Sequence, residues 1–155
     1  MRVARRHAVL VMLLAGLPLL PAAAQDYRLG PLRIEQPWSR ATAPGAQVGV
    51  GYFVLVNEGE TDARLVAAAA PVAGRVTLHR SVEADGVARM EHQRDGVVVP
   101  AGGRLAFQPG GYHLMLMQLA RPLAEGDRVP LTLEFEQAGT VAVELEVKGL
   151  TAGVE

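Results

Sequence analysis

The chain contains no cysteine. No disulfide can brace it, no thiolate can ligate a metal, and a blue-copper centre, which needs a thiolate beside two imidazoles, is excluded. A lipoprotein anchored through an N-terminal cysteine is excluded on the same ground. Aromatic residues make up only 5% of the 155 residues, so the core must be built from Val, Leu and Ala. Basic clusters are also missing. Set aside the three Arg of residues 1–24, and 12 basic residues face 16 acidic ones, a net charge of −4. That balance does not point to a nucleic-acid binder. No stretch after the N-terminus shows helical periodicity, and there is no internal repeat.

The N-terminus has the layout of an export signal. Arg2, Arg5, Arg6 and His7 form a positive start, Ala8 to Leu20 an apolar stretch, and Pro21-Ala22-Ala23-Ala24 a small-residue cleavage site. Thirteen apolar residues are short for a membrane span, which takes about 20. We therefore expect a signal peptide over 1–24, with Sec export favoured over the twin-arginine route, and a single periplasmic domain over 25–155.

Seventeen Gly and ten Pro in short clusters mark tight turns between short strands. Strands are expected near Leu32–Ile34, at Val48–Asn57 (bulged at Gly51 or covered on both faces), Asp62–Ala70, Arg75–His79, Val87–His92, Val97–Val99, Leu105–Phe107 and Tyr112–Leu119. Pro37-Trp38-Ser39-Arg40 reads as the end of the first, and Trp38 as a core residue. Asp85-Gly86 and Asp95-Gly96 both carry hairpin signals. Leu131, Leu133 and Phe135 alternate with polar residues, as do Val141, Val143, Leu145 and Val147, which predicts a hairpin across Gln137-Ala138-Gly139. About eight short strands in one domain fit an all-β Greek-key sandwich or barrel.

The chemistry is concentrated between His79 and Met117. Past the leader, that window holds every His (His79, His92, His113) and every Met (Met90, Met115, Met117). Side chains two apart on a strand share a face. Tyr112, Leu114 and Leu116 thus form one face of their strand, and His113, Met115 and Met117 the other. Thr77 and His79 point away from Val76 and Leu78, and Met90 and His92 share a face. Imidazole plus thioether is the donor set for Cu(I), a soft ion that accepts sulfur readily, whereas zinc has little use for Met. Thioethers bind less tightly than thiolates and persist in an oxidising compartment, which suits a carrier. Taken singly, a strand Met is more often a gap-filler and a lone His a surface residue; their joint confinement gives the pattern its weight.

The segments PWSRATAPGAQVGVGYFVLVNEG and VPAGGRLAFQPGGYHLMLMQLARPLAEGDRVPLTLEFEQAG, with the His…Met…His-x-Met pattern, resemble the PCu(A)C family of periplasmic copper chaperones over nearly all of the mature chain. The resemblance implies a cupredoxin-like β-sandwich that binds one Cu(I) through His79, Met90, His113 and Met115. It further implies delivery to the CuA or another copper centre of cytochrome c oxidase, often alongside a Sco-type protein, by a monomer that is not an enzyme and not membrane-embedded. Two departures stand out. Arg80 fills an optional Met position, and Met90 lies one place early, where one place in a strand reverses the face. His92 and Met117 are the alternatives for its role. Relatives with a His- and Met-rich tail could bind a second copper; Lys148 to Glu155 has neither residue, so one site is expected. The rival readings are general periplasmic copper buffering or resistance, and a non-metal extracytoplasmic binding domain.

Overall fold

The computed structural model describes residues 25–154; the expected leader lies outside them. Eleven strands follow in order: β1 (Tyr27–Leu29), β2 (Leu32–Arg40), β3 (Val48–Asn57), β4 (Ala63–Ala69), β5 (Ala73–Ala84), β6 (Val87–His92), β7 (Val97–Val99), β8 (Arg104–Phe107), β9 (Tyr112–Leu119), β10 (Arg128–Phe135) and β11 (Gly139–Lys148). No helix occurs among the described residues, and so none is long and apolar enough to cross a membrane. The strands join into one sheet in the order β6-β5-β9-β8-β3-β2-β11-β10-β4-β7, with β1 on β2 and a second contact between β3 and β9. Pairs β2–β11 and β8–β9 are parallel and the others antiparallel, so the sheet is mixed. The expected all-β, cupredoxin-like class holds.

The sheet curls around one apolar core. Leu32 and Ile34 of β2, Phe53 and Leu55 of β3, Leu114 and Leu116 of β9 and Leu131 and Leu133 of β10 are all essentially inaccessible to solvent within it. Each such side chain stabilises the fold by about 1.5–3 kcal/mol relative to exposure. Phe53 stacks on Phe107 at 4.5 Å between ring centroids, joining β3 to β8. The buried side chain of Asn57 ties β3 to β7, the far end of the ribbon. Its Nδ2 donates to Thr61 O (2.8 Å) and Val99 O (3.1 Å), and its Oδ1 accepts from Gly59 N. A buried amide with all these partners costs little and fixes the closure of the sheet.

The β10–β11 hairpin forms where the alternation predicts it, with Phe135 opposite Gly139 and the apolar residues inward. Asp85-Gly86 likewise closes the β5–β6 hairpin, both residues having positive φ (54° and 74°). Asp95-Gly96 connects β6 to β7 but makes no hairpin: β6 pairs with β5, and β7 pairs with β4. The turn instead redirects the chain across the molecule. A Cβ at Gly96 would stand 2.5 Å from Leu65 O, so only glycine lets the chain come this close to β4 as it enters β7.

Strand β2 runs through Pro37 to Arg40 instead of ending there. The register on β3 shifts between Glu35 and Trp38, and Gln36 takes φ 48°. The irregularity expected at Gly51 is therefore carried by Gln36-Pro37, where a bulge accommodates the missing proline N–H. β3 alternates regularly once Gly49 and Gly51 are counted on the core face with Phe53 and Leu55. A Cβ at Gly49 would lie 3.1 Å from Leu123 Cδ1; the bare backbone makes room for leucines from across the core. Trp38 is not in the core. It lies on the outward face, 4.6 Å from the ring of Tyr52, with Lys148 Nζ 5.1 Å from its centroid.

Candidate metal centre

Strands β6, β5 and β9 lie side by side, and their register decides which side chains meet. His79 on β5 is opposite both His92 on β6 and His113 on β9. The three imidazoles form a row across three strands, with centroids 5.0 Å apart for His92–His79 and 5.9 Å for His79–His113. Along the strands, the next positions toward the β9 C-terminus are Thr77 opposite Met115 and then Arg75 opposite Met117. In the other direction Met90 stands opposite Ser81. All of these residues share the outward face of the sheet, while Leu78, Leu114 and Leu116 fill the inner one.

Exposure falls from the edge inward: His92 is exposed, His79 half-buried and His113 only 5% exposed. β6 is the terminal strand, so His92 stands at the margin of the sheet. Met90 shares the face of His92, which resolves the question of its orientation, but its side chain is 56% exposed. Two strands and one pleat repeat place its Cα on the order of 12 Å from that of His113. By register Met90 and Met115 are each one strand and one pleat repeat from His79, on opposite sides of the histidine row; Met115 shares the strand of His113, and Met90 that of His92. Arg80 faces the other way and lies over the Tyr112 ring at 5.4 Å, so no optional Met position exists on the histidine face.

Hydrogen bonds set the ring orientations. His113 Nδ1 lies 3.0 Å from Gly111 O, an acceptor only, so Nδ1 carries the proton and the Nε2 lone pair is free. His79 Nε2 lies 2.9 Å from Thr77 Oγ1, and His79 Nδ1 is buried with no partner. Burial, reinforced by the neighbouring His92 and His113, pushes the His79 pKa below its ordinary 6.5. That shift favours the neutral ring, which retains a lone pair for a metal. Thr77 Oγ1 also lies 3.9 Å from Met117 Sδ, and Arg75 Nη2 lies 3.8 Å from the same sulfur. Arg75 was given no role from the sequence, and Thr77 was read there only as sharing the face of His79, two residues along the strand.

Among the described residues, no three His, Asp or Glu side chains converge as a metal cluster. The His79 and His92 rings lie 8° from parallel, and in-plane lone pairs on rings so stacked do not point at one atom, so His92 joins His79 on one ion only if its exposed ring turns. The donors available are therefore an imidazole pair supplemented by thioether, a neutral set suited to a soft monovalent ion. A cavity of about 370 Å³ lined by Pro31, Asn57, Arg64 and Phe135 contains none of these donors. The candidate centre is a row on the outward face, exposed at His92 and buried at His113.

A family model described as “Putative lipoprotein LpqE-like” matches residues 32–147. The chain belongs to the LpqE-like family. “Putative lipoprotein Lxx21020” of Leifsonia xyli subsp. xyli is 32% identical to this LpqE-like chain over 138 residues, covering 88% of it and 82% of the relative. Among solved structures, the copper-bound PCuAC domain from PmoF2 superposes with a TM-score of 0.69 at 27% identity, covering 81% of this chain and 98% of that domain. The solution structure of CuI-DR1885 from Deinococcus radiodurans gives a TM-score of 0.62 at 31% identity, covering 82% and 83%. The PCuAC resemblance stated from the sequence thus holds for this LpqE-like chain, in fold and in family.

Proposed function

We propose that this protein is an exported Cu(I) carrier without catalytic turnover, taking one copper per chain. The observation that carries the proposal is the β5–β9 register, which sets His79 against His113 on the outward face with Met115 two residues further along β9. Solved relatives include a copper-bound PCuAC domain and a Cu(I) form of DR1885. His79, His113 and Met115 are the first three ligands. Met90 is the fourth by family pattern and His92 by proximity, since the His92 ring is 5.0 Å from that of His79.

The finer proposal is delivery in the periplasm to the CuA or another copper centre of cytochrome c oxidase, acting as a monomer beside a Sco-type protein. Residues 1–24 act as a signal peptide, leaving 25–155 as the one mature domain. Without cysteine, the mature chain has no thiol to carry a lipid. The neutral, partly exposed donor set supports a carrier over a store, because thioethers release copper more readily than thiolates.

The test is competitive titration of residues 25–155 with Cu(I) against a chromogenic chelator, repeated for His113→Ala and Met115→Ala. One equivalent bound by the wild type and a large loss of affinity in both variants is the expected outcome. Equal affinity in all three proteins overturns the proposal. Incubation of the loaded protein with the metal-free copper-bearing oxidase subunit then tests delivery, copper moving from one to the other.

A further inference from the structure

Thr77 occupies an unusual place. It is on the outward face of the sheet yet only 8% exposed, packed between His79 and Met117. Its hydroxyl has one proton to give and lone pairs to receive. If that proton went to His79 Nε2, the ring proton would sit on Nδ1, which is buried with no acceptor. Buried N–H groups without an acceptor are rare and costly. In the other arrangement Nε2–H donates to Thr77 Oγ1, and the hydroxyl donates onward to Met117 Sδ at 3.9 Å. Both protons then have acceptors, and the only unpaired group is the Nδ1 lone pair. Arg75 Nη2, 3.8 Å from Met117 Sδ, adds a positive charge beside that sulfur.

We propose that Thr77 is the positioning residue of the centre: it holds His79 as the Nε2–H tautomer, so that Nδ1 is the copper-binding nitrogen, and with Arg75 it engages the Met117 sulfur, leaving Met115 as the β9 thioether. The two central imidazoles then bind through different nitrogens, Nδ1 of His79 and Nε2 of His113, because Gly111 O holds the His113 proton on Nδ1. The copper step rests on the Cu(I)-carrier reading; the tautomers belong to the metal-free protein.

Long-range proton–nitrogen NMR correlations on the metal-free mature protein test the first part directly. The expected spectrum shows Nε2–H for His79 and Nδ1–H for His113; Nδ1–H at His79 overturns the proposal without any variant. Thr77→Val, which keeps the shape and removes the hydroxyl, is expected to mix the His79 tautomers and weaken Cu(I) binding about tenfold. Thr77→Ser is expected to restore both. A Thr77→Val protein with wild-type spectrum and affinity overturns the proposal, as does Met117→Leu lowering affinity as much as Met115→Leu. If the tautomers are as expected but wild-type protein takes up no Cu(I), the carrier reading fails and the positioning of His79 by Thr77 stands.

Discussion

The β10–β11 hairpin and the β5–β9 pair are both two-sided ladders with leucine or valine turned inward, yet their outward faces differ in kind. On β10–β11 that face carries Thr132, Glu134, Glu144, Glu146 and Lys148, ordinary charged and polar groups in water. On β5–β9 the same face carries Thr77, His79, His113, Met115 and Met117, half-buried or buried and nearly all neutral. A solvated face is cheaply filled with charge. One filled instead with imidazole and thioether, and packed closely enough to bury Thr77 and His113, is specialised for something other than solubility.

The largest expected effect separates core from site. Leu133→Ala, in the hairpin core, is expected to lower unfolding free energy by about 2–5 kcal/mol while leaving Cu(I) affinity of the folded protein unchanged, measured by urea denaturation and chelator competition. A matching loss of affinity would mean that the two faces are not separable. Next, His113→Ala and Met115→Ala are expected to weaken Cu(I) binding by roughly a hundredfold or more, the upper end of the range for loss of a supporting residue and above the tenfold expected for Thr77→Val. Glu134→Ala on the other ladder changes nothing by the same titration. If Glu134→Ala matches them, the contrast between ladders is empty.

A finer comparison lies within β6. His92 stands beside His79, whereas Met90 is a pleat repeat away and more than half exposed. His92→Ala is therefore expected to reduce Cu(I) affinity several-fold more than Met90→Leu, by direct titration of the two variants. The reverse order would show that β6 folds over when copper binds.

The smallest effect is electrostatic and lies in the turn that leads into β10. The Arg121 guanidinium, 2.6 Å from Asp127, together with the Ala124 N–H, holds the Asp127 carboxyl below its ordinary 3.8. A depressed folded pKa means that the unfolded chain binds the proton more readily. The stabilisation is thus present above the unfolded value of 3.8 and is lost as pH falls through the lower folded one. Asp127→Asn is expected to lower Tm slightly at neutral pH and to match the wild type once acid has protonated both states. Differential scanning across that range checks it, and a deficit that persists in acid would point to packing instead.

The two ladders were also unequally legible. β10–β11 could be read whole, because its partners adjoin in sequence and its alternation is unbroken. β3 was read as irregular because the glycines at 49 and 51 hide the core face they occupy. Asp95-Gly96 announced a turn correctly, but a turn does not name the next partner, and β7 pairs with a strand some thirty residues earlier. The shared face of His113, Met115 and Met117 followed from a period of two. The alignment of His92 with His79 was implicit in the two-residue Asp85-Gly86 turn, but that of His79 with His113 was not, since it depends on the register between strands joined by a long connection. Thr77 resembled any strand threonine until Met117 was placed beside it.

Because the imidazole row lies on the outside of a sheet whose other side is sealed by leucines, an ion seated there could leave without any strand parting. Release would then run at the pace of ligand substitution by an approaching donor, and rigidity of the sheet would be no obstacle to a fast exchange.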